Sequence, residues 1–476
     1  MSKHQLSKST YIRGLQCLKS LYLHKHRPFL RDRLSPEQLQ KFKRGTEVGK
    51  IAQRLFPGGL DMSAKSPAQY AAKVAETQQA INSNDINVLY EAAFQYDDVL
   101  IFLDILVRTN DGWVACEIKS SRSLSATYYA DAALQYYVLK GSGIHLSDFF
   151  LYYINSDYKL DNVLVLDELF HKESVYGLVE NKLNETRLQI ASAKLCLQQK
   201  RSPEVSIGTH CTNPYPCDFR GFCMKNVPKL SILQLTAFDQ EMLFEWYHKG
   251  ISDPRQVAGI SLNELQKKQI EAFNSKTSSY DLQKRKLPNH KQYIAFFDVL
   301  FTQPAIPVIN GTKPYAHIPL AAGILTEGNH IEVVYYKTDL NGIMQFVDWL
   351  GKLSEQFEFL VIFDESGLKE FLSNDLIKTH LKKQFYDKLL SIKLIGIRQF
   401  MDDIQFYFPG LADNSSIDEI SKHLLVGLDR LFDRHQLIAD ILKSDSNPDD
   451  EQNRQKIINY LMSLQSLYIY LSKLKS

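Results

Sequence analysis

Three runs of β-forming residues constrain this chain more than any other feature: Val88 to Tyr96, Val99 to Val107 and Trp113 to Ser120. The last two are joined through Thr109-Asn110-Asp111-Gly112, a hairpin signal, because Asn, Asp and Gly tolerate the backbone angles of tight turns. A two-residue loop of Asn110-Asp111 sets Asp104 opposite Glu117, and a loop of Asp111-Gly112 sets it opposite Lys119. Side chains alternate faces along a strand, so either register puts Asp104, Glu117 and Lys119 on one face and Ile105, Val107, Cys116 and Ile118 on the other. Three charged groups on one face make either a salt-bridged solvent face or a site.

The flanking segments read as helices. Tyr11, Leu15, Leu18 and Tyr22 recur at helical spacing ahead of Pro28, which places Cys17 on that helix. A second helix starts at Ser35-Pro36 with Gln38 completing a capping box; on it Gly45 and Gly49 suggest a close backbone approach by another helix or by a ligand. Helices over 67–82, 127–140 and 166–200 and a strand over 149–154 complete a front half of α/β class. Residues 229–275 read as a helical connector and 276–290 as a polar, basic linker. A second α/β region follows, with strands near 293–300, 319–326, 330–337 and 359–363 and a helical tail broken at Ser444 to Asp450. The expected domains are therefore 1–228, 229–288 and 289–476.

Charge excludes a uniformly basic nucleic-acid binder. With a net charge of +2 over 476 residues, such contacts fall to local clusters, Lys41, Lys43 and Arg44 or Lys284-Arg285-Lys286, and each cluster reads equally well as a solvated face. The chain has no signal-peptide pattern and no apolar run of about 18 residues, so a cytoplasmic protein with no membrane partner is expected.

The charged hairpin face has the composition that phosphodiester hydrolysis requires. A hard divalent cation, Mg²⁺ or Mn²⁺, takes carboxylate and carbonyl oxygens, here Asp104, Glu117 and the carbonyl of Ile118. Lys119 can orient the attacking water or stabilise the phosphate, Glu91 is a candidate further carboxylate or a salt-bridge partner, and Gln135 a candidate substrate-holding donor or an ordinary helix residue. Cys211, Cys217 and Cys223, spaced Cys-x5-Cys-x5-Cys, together with Cys17 supply four thiolates for an iron-sulfur cluster or zinc. Zinc knuckles with short Cys-x2-4-Cys spacing are absent, which favours a 4Fe-4S cluster with a structural role; Cys116 and Cys196 read as separate thiols.

With these residues in place the chain resembles a known family. The stretch from Ser7 to Cys17, the Arg44-Gly45 helix ending Phe56-Pro57-Gly58-Gly59, Tyr90-Glu91, Asp104, Glu117-Ile118-Lys119 and the three late cysteines are similar to the RecB-type PD-(D/E)XK nucleases. The nearest branch is the four-cysteine iron-sulfur subgroup that includes CRISPR-adaptation nucleases, in a bacterial family that fuses this restriction-endonuclease-like module to an RNase-H-like exonuclease-type domain. The resemblance implies metal-dependent DNA cleavage, commonly exonucleolytic on single strands, with Asp104, Glu117 and Lys119 as the catalytic set. It also implies a setting in genome defence or repair, with a protein partner in such a complex. Two departures stand out: Gly49 occupies the place of a metal-binding His, and Leu139 that of a Tyr after Gln135. In the second region Asp298 matches an Asp-x-Glu strand, but Leu300 replaces the Glu, Leu464 a later Asp, and Asp364 and Glu365 fit poorly, so a degenerate domain is expected. An inactive nucleic-acid-binding subunit and an RNA-cleaving enzyme with structural zinc are the competing readings.

Overall fold

Asn110 and Asp111 form the hairpin loop, since Thr109 pairs with Gly112 and the ladder runs on to Ile105 against Cys116. This is the register that sets Asp104 opposite Glu117. Gly112 sits at φ +131°, where a Cβ would lie 2.8 Å from the carbonyl oxygen of His145. Glycine is required there for both reasons.

The computed structural model describes residues 4–83, 85–257, 261–288, 293–326, 328–412, 415–424, 433–443 and 450–474. The chain divides into one unit of Met1–Tyr158 and Asn162–Asn226 and another of Lys159–Asp161 and Val227–Ser476. Both are α/β, each built on a mixed sheet. Among the described residues no helix is long and apolar enough to cross a membrane.

In the first unit the strands are β1 (Leu6–Ser7), β2 (Leu60–Asp61), β3 (Val88–Tyr96), β4 (Val99–Thr109), β5 (Gly112–Lys119), β6 (Leu146–Ile154) and β7 (Phe170–Ser174). They lie in the order β2-β3-β4-β5-β6-β7, with β1 added parallel to β4. The helices that matter to the site are α1 (Lys8–Gln16), α2 (Leu18–His26), α3 (Pro36–Ala52), α4 (Tyr70–Asn82) and α5 (Ala126–Gly141). Because β5 and β6 are parallel, the chain must cross over between them, and α5 is that crossover. Every residue of α5 from Asp131 to Leu139 is buried, so this helix is enclosed on all sides. Leu103, Leu106, Ala115, Leu134, Val138 and Leu151 fill the core between sheet and helix.

Three sequence expectations are corrected. Cys17 is not within a helix: at φ −163° and ψ 115° it is extended, capping α1 and opening α2, and its N–H ends α1 on the Arg13 carbonyl. The stretch 166–200 is not continuously helical, because Phe170–Ser174 adds to the edge of β6 as β7, a role set by pairing rather than by its polar sequence. Gly45 and Gly49 accept no close neighbour, since a Cβ at either meets nothing within 4 Å, and α3 buries only Val48 and Ala52.

The second unit carries β8 (Ile294–Thr302), β9 (Ile318–Thr326), β10 (Ile331–Tyr335), β11 (Phe359–Ile362) and β12 (Lys393–Gly396) in the order β10-β9-β8-β11-β12. β9 is antiparallel to its neighbours while β8, β11 and β12 run parallel. Alternation along β8 sends Phe296 and Leu300 to a core shared with Leu461 and Leu464 of helix Glu451–Ser472. It sends Phe297 and Val299 to the opposite core, against Phe346, Val347 and Leu350 of helix Leu340–Gln356. The tail break expected at Ser444 lies outside the described residues up to position 449.

Gly112→Ala is expected to cost about 1–3 kcal/mol, from positive-φ strain and the clash with His145. The shift in the urea midpoint of unfolding measures it.

Candidate active site

Pairing of β1 with β4, Leu6 against Val99 and Ser7 against Leu100, brings the start of α1 down onto the sheet. Ser7 caps that helix in a capping box with Thr10, so Lys8 is its first residue. The Lys8 ammonium donates to the Phe102 carbonyl at 3.3 Å and to Glu117 Oε1 at 2.7 Å. Lys119, from the end of β5, donates to the same Glu117 oxygen at 2.8 Å and to Asp131 Oδ2 of α5 at 2.6 Å. Asp104 does not continue the ladder; its Oδ2 accepts the Ile118 N–H at 2.7 Å.

The row extends to a third strand. Tyr90 pairs with Ile105 and Ala92 with Leu103, so Glu91 and Asp104 fall at the same break between these pairs, and Asp104 lies one residue beyond the last β4–β5 pair, Ile105 with Cys116. Glu91 itself adopts φ +51°, a conformation uncommon for a side-chain-bearing residue, and pairing lapses at this point of β3. The structure therefore brings Asp104, Glu117 and Lys119 together with Glu91 beside them.

Burial and charge set opposite states for the two central carboxyls. Removal from water, reinforced by the Glu117 charge, pushes Asp104 up to about 8. Burial acts the same way on Glu117, but the Lys119 and Lys8 ammonium groups overcome it and hold this carboxyl near 2. Glu91 is raised, chiefly by burial, with Lys8 opposing and Glu117 adding to the rise. Both lysines are held above their ordinary range: burial disfavours their charge, and the surrounding carboxylates, Glu117 and Asp131 foremost, outweigh it.

Two residues of the cluster escape sequence reasoning. Lys8 lies 109 positions from its partner, and no periodicity announces it. Asp131 was accessible, since it precedes Gln135 by one helical turn and shares its face. Gln135 is fully buried, and both of its side-chain polar atoms, together with Glu117 Oε2 and Asp131 Oδ1, lack a hydrogen-bond partner. Among the described residues no group of three or more His, Cys, Asp or Glu side chains converges as a metal ion requires. Two carboxylates and one carbonyl form a sparser oxygen set of the kind Mg²⁺ takes, with water and phosphate filling the rest. An extended residue directs its N–H and C=O to the same neighbouring strand, so the Ile118 carbonyl faces the side on which its N–H meets Asp104.

The four cysteines gather at a second place in the same unit. Cys17, Cys211, Cys217 and Cys223 line one pocket with His210, Lys19 and Arg220. Asp218, beside Cys217, accepts from Arg13 at 2.7 Å and from Arg31 at 2.7 Å; burial alone would raise this carboxyl, and the two guanidiniums hold it below its usual range. Gln16 reaches over from α1 to the carbonyls of His210 and Tyr215 at 2.8 and 2.6 Å. The break at Cys17 thus serves to direct that thiol toward the other three. Burial raises the thiols of Cys17 and Cys223 above the ordinary value.

In the second unit Asp298 is buried at the centre of β8, and Arg434 Nη1 lies 2.8 Å from each of its carboxyl oxygens. Arg434 also donates to the Val299 carbonyl and stacks 5.0 Å from the Tyr460 ring. Leu300 and Leu464 are core residues, 2% and 0% exposed. Asp364 lines the same pocket as Asp298, of about 510 Å³, with Asp418, Asp433 and Arg398.

No family model matches this chain, and no curated protein matches it. Among solved structures it is similar to the family B DNA polymerase from the hyperthermophilic archaeon Pyrobaculum calidifontis, at 11% identity and a TM-score of 0.25. The match covers 40% of this chain and spans 25% of that one. At such a level the residues themselves carry any functional reading.

Arg434→Leu strands a buried carboxylate and is expected to destabilise the protein by about 2–3 kcal/mol, the low end for such pairs because the guanidinium is partly exposed. Adding Asp298→Leu should recover most of that loss in a urea double-mutant cycle.

Proposed function

We propose that the first unit is a divalent-metal-dependent nuclease of the RecB-type PD-(D/E)XK kind, acting on DNA and preferentially on single strands. The observation that carries this reading is the convergence of Asp104, Glu117 and Lys119 on β4 and β5, with the Glu91 carboxyl close enough to feel the Glu117 charge. Asp104, Glu117 and the Ile118 carbonyl would hold Mg²⁺ or Mn²⁺, which when bound supplies charge neutralisation and an activated water. Glu117 Oε2 is a buried acceptor with nothing to accept, as a ligand position requires. Lys119, fixed between Glu117 and Asp131, orients the water. The water oxygen bonds to phosphorus as the bond to the leaving sugar oxygen breaks; the proton lost by the water is balanced by one gained at that oxygen from solvent.

The cysteine pocket is read as the seat of a structural 4Fe-4S cluster. Four thiols lining one pocket supply the ligands such a cluster takes, and Lys19 and Arg220 beside them offset its negative charge. In the second unit the strand order and the replacement of metal chemistry at Asp298 by Arg434 support a degenerate RNase-H-like domain, a platform rather than a second active site. Genome defence or repair, within a protein complex, is the setting in which such an enzyme fits.

A second reading has one observation in its favour. Glu117 Oε1 is already held by two ammonium groups, an arrangement that also suits a protein gripping nucleic acid without cutting it.

Incubation of labelled single- and double-stranded DNA and RNA with Mg²⁺ or Mn²⁺ separates these readings. Wild type is expected to degrade single-stranded DNA, and Glu117→Gln to lose at least about 100-fold of that rate; equal rates would remove the site from consideration, and binding without cleavage would favour the gripping role. Protein purified without oxygen should be brown, absorbing broadly near roughly 400 nm, and Cys217→Ser should bleach it. Colourless protein containing only zinc would refute the cluster.

A further inference from the structure

We propose that Lys8 is a catalytic residue of this site, its ammonium leaving Glu117 when the cation is seated and taking a non-bridging oxygen of the cleaved phosphate. The assignment rests on the nuclease reading above and adds a substrate contact to it.

Two lysines share one oxygen of Glu117, but they are held differently. Lys119 is braced on both sides, by Glu117 and by Asp131, and its side chain is 12% exposed. Lys8 has one carboxylate partner and a longer contact to the Phe102 carbonyl, and its side chain is 25% exposed. Of the two it has the fewer carboxylate partners and the more exposed side chain, so it is the one an arriving phosphate can draw away. Its position also needs explanation, because a cation at the first residue of a helix opposes the helix dipole. Glu117 compensates for that in the free protein. A dication on Asp104 and Glu117 repels the Lys8 ammonium and draws charge from the oxygen that held it. The incoming phosphate offers replacement acceptors, and its charge rises on the equatorial oxygens during cleavage, where a compact three-donor ammonium acts best.

A structural lysine and a phosphate-contacting lysine predict different consequences of removing the charge. If Lys8 only holds Glu117 in place, Lys8→Gln disorders the carboxylate and weakens cation binding. If it competes with the cation and then serves the phosphate, the same change tightens cation binding and slows cleavage.

The test uses the full chain, Mn²⁺ binding followed by electron paramagnetic resonance of the free ion, and cleavage of a labelled single-stranded DNA oligonucleotide at saturating Mn²⁺. For Lys8→Gln the expected result is Mn²⁺ affinity raised about 3- to 10-fold, kcat lowered about 100-fold or more and KM within about 3-fold. Lys8→Met, which keeps the aliphatic stem, should behave alike and serves if the Gln variant folds poorly. Weaker Mn²⁺ binding, unchanged kcat, or a melting temperature about 10 °C lower in both variants would each overturn the assignment. Wild-type cleavage that Glu117→Gln abolishes but Lys8→Gln leaves intact removes Lys8 alone. Cleavage that Glu117→Gln also leaves intact removes the nuclease reading of the site itself.

Discussion

A carboxylate buried in a sheet has to be neutralised, and Glu117 is the group around which the first unit is organised. At 2% exposure its charge survives because Lys119 and Lys8 both donate to Oε1. An uncompensated charge in such a place costs several kcal/mol. Meeting that demand accounts for features that otherwise look incidental. The two-residue β1 sets the start of α1 against β4, and the enclosed α5 brings Asp131 to Lys119. Asp104, shut away from water beside the Glu117 charge, is the carboxyl pushed upward.

The second unit meets the same demand without leaving anything open. Asp298 is as deeply buried as Glu117, but a single guanidinium covers both of its oxygens and the adjoining Val299 carbonyl. Arg434 is a permanent counter-charge, since its donors are bound to protein and its plane lies over Tyr460. In Glu117 one oxygen is saturated and the other has no partner. The contrast between a closed ion pair and a half-open one is the physical ground for looking for chemistry in the first unit rather than the second.

The cysteine-rich segment is secured by polar contacts around one fully buried ring, Phe219. Arg13 and Arg31 converge on Asp218, Asp32 accepts the Gly221 N–H at 2.9 Å, and Gln16 holds two loop carbonyls. Because these partners come from α1 and the residues that follow α2, the segment is tied to the same element that delivers Lys8. Its spacing was legible from sequence, since cysteines declare themselves by type. The break that turns Cys17 toward them was not, because helical periodicity runs through position 17 without interruption.

Sequence alone determined what is local. The hairpin, the shared face of Asp104, Glu117 and Lys119, the α/β class and the apolar strands β8 and β9 all follow from alternation and turn chemistry, which act between near neighbours. The tertiary structure decided what depends on distant partners. It chose the Asn110-Asp111 register of the two that were open, brought Glu91 within reach of the Glu117 charge, and recruited Lys8 from the far end of the chain. It also made β7 a strand and found Arg434 for Asp298. Nothing in a linear pattern specifies which charge a buried carboxylate will meet, because that is settled only when the strands and helices close around it.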